Sequence, residues 1–556
     1  MRITNKIMQR NNLSNINTNK MYQDKLSTQM STQKKINRPS EDPVVAIRSL
    51  RLRSNVTEIT QYYSKNIPDA ESWIKITEDS LSKLSDIIAN MAAQCTRGTN
   101  SDFTTTDRGT ILEQLKLLAD EVYATGDADF AGRYVFTGYR TDTPLSFLAE
   151  QERNYTITEQ LDKNALDLFT SVNTGKVLDI NSANYNDPNY SGINENDITS
   201  VDVHRIRLAY NNCVDGKTAG GDDIVPVISF VTGANSDGTV NTKVWADGDP
   251  LTTDNTTTPP FTKYQIKKVN YADDPYSQVA GDADAVIYVP ETGELLFGDN
   301  AYKALMETKD DAATSNVNEG EIRITYQKSH WDKGDLRPEH YFACEADKLD
   351  DTGAVVTDDQ GNPIRIPYND TYLTTNAERQ VIEYDVGFNQ TIRINSRADE
   401  CFKHGIGREV DDIIAAMENV QELERAQADI KAIMEKLPEG DAGMPTLQNQ
   451  LDAVEKALTY AKKKEQKMFE GGISAFQKYL DEANLCVTAC GSRGSKLDLI
   501  KNRSQNQKTT YETLKSQNED IDITEVAIQL TSAELTYDAA LMAAGKVMQT
   551  SLMNFI

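Results

Sequence analysis

The residues that could do chemistry are few and poorly arranged for it. Gly216-Lys217-Thr218 resembles the end of a phosphate loop, but that loop needs glycine at 211, where Asn211 stands, and no strand-to-helix switch surrounds it. His204, His330, His340 and His404 show no His-Glu-x-x-His spacing, so a zinc hydrolase centre has no visible ligands. Cys486 and Cys490 lie four apart on a predicted helix, and Cys401 with His404 is the other close pair. Neither completes a zinc spacing, so the six cysteines read as free thiols. Asp282 with Asp284 and Asp358 with Asp359 lack the loop that holds calcium and read as solvated turns. We therefore expect no catalytic residue, no metal and no cofactor: the chain is not an enzyme.

The elements that would position such residues carry more information. With 556 residues, 38% hydrophobic content and a mean hydropathy of −0.55, the chain has room for several domains. A net charge of −27 argues against nucleic acid or an anionic membrane as partner. No apolar run reaches the length of a membrane span, and the opening MRITNKIMQRNNLSNINTNK lacks the apolar core of a secretory signal.

The two ends are complementary. The first 60 residues hold 11 Lys and Arg against 4 Asp and Glu, and the last 50 hold 3 against 7. From Ile523, apolar or small residues recur in steps of three and four at Val526, Leu530, Ala533, Tyr537, Ala540, Ala544, Val547 and Ser551. Leu541, Met548, Leu552 and Phe555 form a second stripe, so one partner helix cannot cover the apolar arc. A closed helical bundle would use the first stripe, but the wide arc favours an intermolecular surface. Residues 14–35 read as a weak helix with Ile16, Tyr22, Leu26 and Met30 on one face.

Pro39 and Pro43 interrupt the pattern, with Ser40 as the expected helix start. A long helix over 44–96 follows, with a kink or break expected at Pro68. A third helix is expected over 107–125, and Gly132 to Tyr139 reads as strand and turn. From about 145 to 402 the period changes to two, with strand candidates at 227–231, 264–269, 285–289 and 322–326 and a hairpin pairing 381–386 with 391–394. The aromatic residues Trp245, Trp331, Tyr264, Tyr288 and Tyr326 look spread out. Helices return over 410–437, 446–470 and 473–514, with stops at Gly471-Gly472 and a weak spot at 490–495, and Asp522-Ile523-Thr524-Glu525 suggests a capping box.

These parts predict an α+β fold. Both termini form a long antiparallel coiled coil or bundle around a β-rich central insertion of one or two domains. The expected boundaries are 1–43 (coiled coil), 44–144 (helical), 145–405 (β-rich, outward-facing), 406–520 (helical) and 521–556 (coiled coil). The assembly surface would comprise Ile16, Tyr22, Leu26, Met30, Ile523, Val526, Leu530, Ala533, Tyr537, Ala540, Ala544, Val547, Met548, Leu552 and Phe555.

The opening Met1-Arg2-Ile3-Thr4, the segment Lys35-Ile36-Asn37-Arg38-Pro39-Ser40-Glu41-Asp42-Pro43, the strand Gly132-Arg133-Tyr134-Val135-Phe136-Thr137-Gly138 and the ending Ser551-Leu552-Met553-Asn554-Phe555-Ile556 together resemble the flagellin superfamily. Within it they resemble the hook-associated protein 3 family of hook-filament junction subunits. Filament flagellins usually lack Pro39's counterpart and the Tyr-x-Phe-x-Gly strand. The resemblance covers about 1–148 and 473–556. Where the family commonly has glycine, this chain has Lys34 or Lys35, so the turn before Ile36 is expected to differ. Cys490-Gly491-Ser492-Arg493 stands where the family has Val-Gly-Ala-Arg.

The resemblance implies a structural subunit of the bacterial flagellum, extracellular, exported through the flagellar secretion apparatus without a cleavable signal. It implies a hook-associated protein on the hook side, flagellin on the filament side, self-association into a ring and an export chaperone, with no nucleic acid and no membrane span. The alternatives are a filament flagellin, or a surface adhesin acting through the insertion.

Overall fold

The computed structural model describes residues 5–99, 105–173, 177, 195–218, 220–245, 265–312, 320–350, 353–358, 360–375, 379–438 and 440–549. Long helices from both ends of the chain flank a central β-rich region. The helices are α1 (Asn5–Thr32), α2 (Pro43–Gln61), α3 (Ile67–Gly98), α4 (Thr105–Gly126), α5 (Pro275–Gly281), α6 (Asp299–Ala312), α7 (Ala398–Cys401), α8 (His404–Lys436), α9 (Met444–Glu519) and α10 (Ile523–Gln549). Two compact units divide the chain: residues 1–72, 383–393 and 493–556 form one, and 73–382 and 394–492 the other.

In the first unit, the cap of α2 lies two residues after the expected one. Asp42, not Ser40, accepts from the N–H groups of Val44 and Val45 at 3.0 and 3.1 Å, with Pro43 supplying the first helical residue, which has no N–H to lose. The interruption expected at Pro68 falls just before it, as a change of helix type. A π turn over Tyr62–Asn66 precedes Pro68, with the Ile67 N–H donating to Tyr62 O, and the wider turn absorbs the bond that proline cannot make. The expected hairpin is present with a tighter turn, its first strand beginning two residues later at Glu383–Gly387 and its second one residue earlier at Gln390–Arg393, with Glu383 opposite Arg393. Its Tyr384 hydroxyl donates to Asp69 at 2.7 Å, and Phe388 stands edge-on to Tyr62 and Tyr511.

In the second unit lie two sheets. The six-stranded sheet has the order β13 (Arg365–Tyr368), β12 (Ala343–Asp347), β3 (Gln151–Leu161), β11 (Ile322–Trp331), β6 (Val227–Ala234), β7 (Val240–Val244), antiparallel throughout. The five-stranded sheet has the order β4 (Leu166–Asn173), β5 (Thr199–Arg207), β10 (Glu294–Phe297), β9 (Val286–Val289), β8 (Ile266–Lys268), with only the β8–β9 pair parallel. The expected strands at 227–231, 285–289 and 322–326 fall on β6, β9 and β11. Of the stretch 264–269, Tyr264 lies outside the described residues and β8 takes three of the rest. The short strand β2 (Arg133–Tyr134), paired with β1 (Asp129–Phe130), is all that is extended in 132–139; the rest is turn.

Trp331 is not isolated. Its indole stacks on Phe147 at 4.9 Å and meets Tyr155 and Tyr210 edge-on, each at 5.1 Å. The ammonium of Lys328, fully buried, lies 5.2 Å from the same ring, donates to Asn211 O at 2.8 Å and pairs with Asp335 at 3.3 Å. Period-two reading of single strands does not register this cluster, because its members come from loops and strands far apart in sequence.

A second buried group ties strands to helix. The Arg205 guanidinium, 2% exposed, bonds Glu294 at 2.6 Å, Asp167 at 2.7 Å and Asp412 of α8 at 2.8 Å, and lies over the Phe169 ring. Arg207 bonds Asp412 and Glu409, each at 2.6 Å. With every charge paired, the cluster fixes the five-stranded sheet to α8.

The expected stop at Gly471-Gly472 is absent, and 444–519 is one helix through both that pair and 490–495. A Cβ on Gly472 would come within 2.9 Å of Ile413 Cδ1 and 3.2 Å of Cys95 Sγ. Glycine serves close packing here, not termination, and packing outweighs its roughly 1 kcal/mol helix penalty.

Candidate assembly interface

Along α10 the first predicted stripe turns toward α1. Val526 and Ala533 are buried, Leu530, Tyr537, Ala540 and Ala544 are half-buried, and Ile523, at the start of the helix, is exposed. From α1, Leu26 enters between Val526 and Ala533, with Ile521 and Leu530 beside it. The pairing runs antiparallel: Lys34 bridges Asp520, while Asn19 and Tyr22 sit across from Ser532 and Thr536. The α1 side of this seam has half-buried Asn12, Ile16, Asn19 and Gln23 leading to Leu26. Tyr22 and Met30 do not share that face; both are exposed, Tyr22 at the rim of the seam. The spacing of Ile16, Tyr22, Leu26 and Met30 mixes two faces, and asparagines complete the one that packs.

A second apolar seam on α10 is uncovered. Ile528, Leu535 and Met542 recur seven apart and are 67, 68 and 70% exposed. Ala527, Thr531, Ser532, Thr536 and Ala539 lie between them, lining with Ile528 and Leu535 a groove of about 740 Å³. Leu541 is exposed as well. Sequence reasoning missed these three residues, although the strict heptad spacing was available to find them. The side chains of Val547 and Met548, together with Ser551, Leu552 and Phe555, lie outside the described residues.

Where α1 gives way to α2 and α9 to α10, one carboxylate gathers the connections. Glu519 accepts from Arg53 Nε and Nη2 at 2.6 and 2.8 Å and from the Ser49 hydroxyl. Arg53 beside it holds the Glu519 carboxyl down at about 2, against an ordinary value of 4.5. Lys34 adds a bond to Asp520 at 2.5 Å and stands 3.6 Å from Glu519. The backbone joins in: Lys35 N–H donates to Glu519 O at 2.7 Å and Ile521 N–H to Gln33 O at 3.2 Å. Gln33 takes the left-handed conformation, φ 57°, immediately before the lysines. The tight turn is thus present without glycine, held by ion pairs across the two connections. Asp522 caps α10 by accepting from Thr524 and Glu525 N–H at 2.9 and 3.2 Å.

All six cysteines are free, five buried and Cys486 half-buried. Among the described residues no group of three or more His, Cys, Asp or Glu could hold a metal ion, and no helix is long and apolar enough to cross a membrane.

Residues 3–141 match the family described as the bacterial flagellin N-terminal helical region. Flagellar hook-associated protein 3 of Salmonella typhimurium is 28% identical over 143 residues, 26% of this chain and 45% of that protein. The protein of the same name from Escherichia coli is 26% identical over 181 residues, 32% and 56% respectively. A flagellin of Clostridium tyrobutyricum is 30% identical over 122 residues, 22% and 32%. The chain thus spans about half the length of the hook-associated relatives it matches. Among solved structures, a putative flagellar hook-associated protein from Vibrio parahaemolyticus aligns over 86% of this chain and 100% of its own, at 12% identity and TM-score 0.30. Hook-associated protein 3 of Legionella pneumophila aligns over 83% and 96%, at 10% identity and TM-score 0.28. Two of the three curated relatives are hook-associated protein 3, and the family match covers the segment that contains α1 to α4.

Proposed function

We propose that this chain is a structural, non-enzymatic subunit of the bacterial flagellum that joins hook to filament. The observation that carries the reading is the second, bare heptad of α10 beside a first one already occupied by α1: a helix pair of this kind is half of an interface. The similarity to two hook-associated proteins 3 supports the junction role. On this reading the assembly surface comprises Ile16, Tyr22, Leu26, Met30, Ile523, Val526, Leu530, Ala533, Tyr537, Ala540, Ala544, Val547, Met548, Leu552 and Phe555, extended by Ile528, Leu535 and Met542: Leu26, Val526 and Ala533 hold α1 to α10, and the exposed members pack against neighbouring copies in a ring. Segments 1–43 and 521–556 form the coiled coil, 44–144 and 406–520 its helical surround, and 145–405 faces outward. The neighbours are a hook-associated protein and flagellin, and the chain reaches the cell exterior through the flagellar export apparatus with a chaperone's help.

A junction subunit must offer different partners at its two ends, whereas a head-to-tail surface that fits its own copies propagates. Deleting the gene should leave cells with bare hooks and flagellin shed into the medium, scored by electron microscopy. Normal filaments in the deletion strain would overturn the junction reading. The flagellin match supports a second reading, a filament flagellin, and long homopolymers of this chain would decide for it. Ala544→Asp should leave the monomer soluble and folded but block assembly, since a carboxylate in the packed seam costs several kcal/mol per subunit; normal assembly would remove Ala544 from the interface.

A further inference from the structure

Cys401 ends α7, the short helix through which the chain passes from the β-rich region into α8, and is 3% exposed. The thiol of Cys486, on α9, lies beside it. Cys486 is half-buried and donates to the carbonyl of Glu400, the residue before Cys401, at 3.5 Å. Two helices therefore present one thiol each to the same spot, one reachable from solvent and the other sealed behind it. The neighbouring cysteine of α9, Cys490, is buried and aims elsewhere, donating to Ile74 O at 3.5 Å. Cys213 likewise bonds a carbonyl, that of Tyr210.

We propose that Cys401 and Cys486 are a dithiol that a small-molecule disulfide converts to an intramolecular disulfide, stapling α7 to α9. The accessible Cys486 loses its proton to water and attacks one sulfur of the small disulfide. A mixed disulfide forms and one small thiolate leaves. Cys401 then gives its proton to solvent and attacks Cys486 Sγ, releasing the second small thiolate. Two protein thiols are oxidised and one disulfide is reduced to two thiols. Burial and the Cys486 thiol beside it keep the Cys401 proton in place, so the second step is the slow one. The product closes a loop containing α8 and the first part of α9. The staple does not depend on the junction role, since its readouts involve no flagellar assembly.

The test uses the purified full chain, folded, exposed to oxidised glutathione at mildly alkaline pH and mapped by non-reducing peptide mass spectrometry. The expected result is a single cross-link, Cys401 to Cys486, with the mass lower by the two hydrogens lost. The unfolding midpoint should rise by about 5 °C and fall back on reduction with dithiothreitol. Cys401→Ser should instead trap glutathione on Cys486. Cys486→Ser, a half-buried change that leaves the core intact, should abolish both cross-link and stabilisation. Stable glutathionylation of Cys486 in the unaltered chain, a cross-link through Cys490, or a cross-link formed only after denaturation would each overturn the proposal.

Discussion

Along the contact of α1 with α10, Leu26, Val526 and Ala533 are the buried apolar side chains, and a row of asparagine and glutamine finishes the seam. In the β-rich region, by contrast, Arg205 alone bonds three carboxylates, and Lys328 lies over the rings of Trp331 and Tyr210. The first region keeps Ile528, Leu535 and Met542 exposed and gains its order from a few contacts. The second has spent its apolar and charged groups on itself. Buried packing and exposed apolar surface are thus concentrated in different segments of one chain, the pattern expected where a surface must stay available for later packing.

The sharpest way to break that contrast is at Arg205. Arg205→Ala leaves Glu294 buried without its cation and Asp412 with Arg207 alone, and should cost about 3–5 kcal/mol. All three tryptophans, Trp73, Trp245 and Trp331, lie in the second unit, so their fluorescence during urea unfolding reads this loss directly. A midpoint unchanged from that of the unaltered chain would show that the cluster contributes nothing. Leu26→Ala should cost less, about 2–3 kcal/mol, because neighbours on an open seam can relax into the gap. It should lower helicity by circular dichroism while tryptophan fluorescence stays constant.

Acid should reach the two regions at different points. Burial pushes His404 down to about 3 and His340 to about 4, so the stability they confer is complete above about 6.5 and drains away as the pH falls below it. Glu159 opposes them. Burial raises it to about 7, even though the Tyr326 hydroxyl and Ala209 N–H donate to it, so its contribution is complete below 4.5 and is lost as the pH rises through 7. Two imidazoles against one carboxyl predict a net loss in the β-rich region between pH 6.5 and 4.5, made steeper by Glu159→Gln. Glu519 acts later: its folded value lies below the ordinary one, so its stabilisation persists down to about 4.5 and disappears as the pH falls toward 2. Tryptophan fluorescence and helicity, followed together in a pH titration, should show two separated onsets; a single shared onset would contradict the assignment. The smallest effect is expected at Lys116, whose ion pair with Glu418 at 2.9 Å is exposed on both sides. Lys116→Ala should move stability by no more than about 0.5 kcal/mol in chemical denaturation.

Much of this was legible in the residues. The heptad of Val526, Leu530, Ala533, Tyr537, Ala540 and Ala544 names the face that α1 covers, because a 3.6-residue period records which side of a helix is apolar. Period two located β6, β9 and β11 for the same reason. What escaped depends on distant partners. Gly472 reads as a stop until Ile413 and Cys95 are seen pressed against it. The helices α5 and α6 are short and lie within a strand-rich composition that hides them. Ile528, Leu535 and Met542 were overlooked because the covered stripe, being longer, captured the period.

The chain leaves its helical scaffold near Phe136 and comes back to it at Phe402, and those two rings touch, with centroids 4.9 Å apart and Ala398 N–H donating to Phe136 O at 2.9 Å. Everything between is a loop with its ends already tied. The entropy of closing such a loop grows only with the logarithm of its length, so lengthening or shortening the intervening domain adds little to the cost of the tie. The tied ends let the length of the intervening segment vary, provided that the hairpin at 383–393, which packs on Tyr62 and Asp69, is kept.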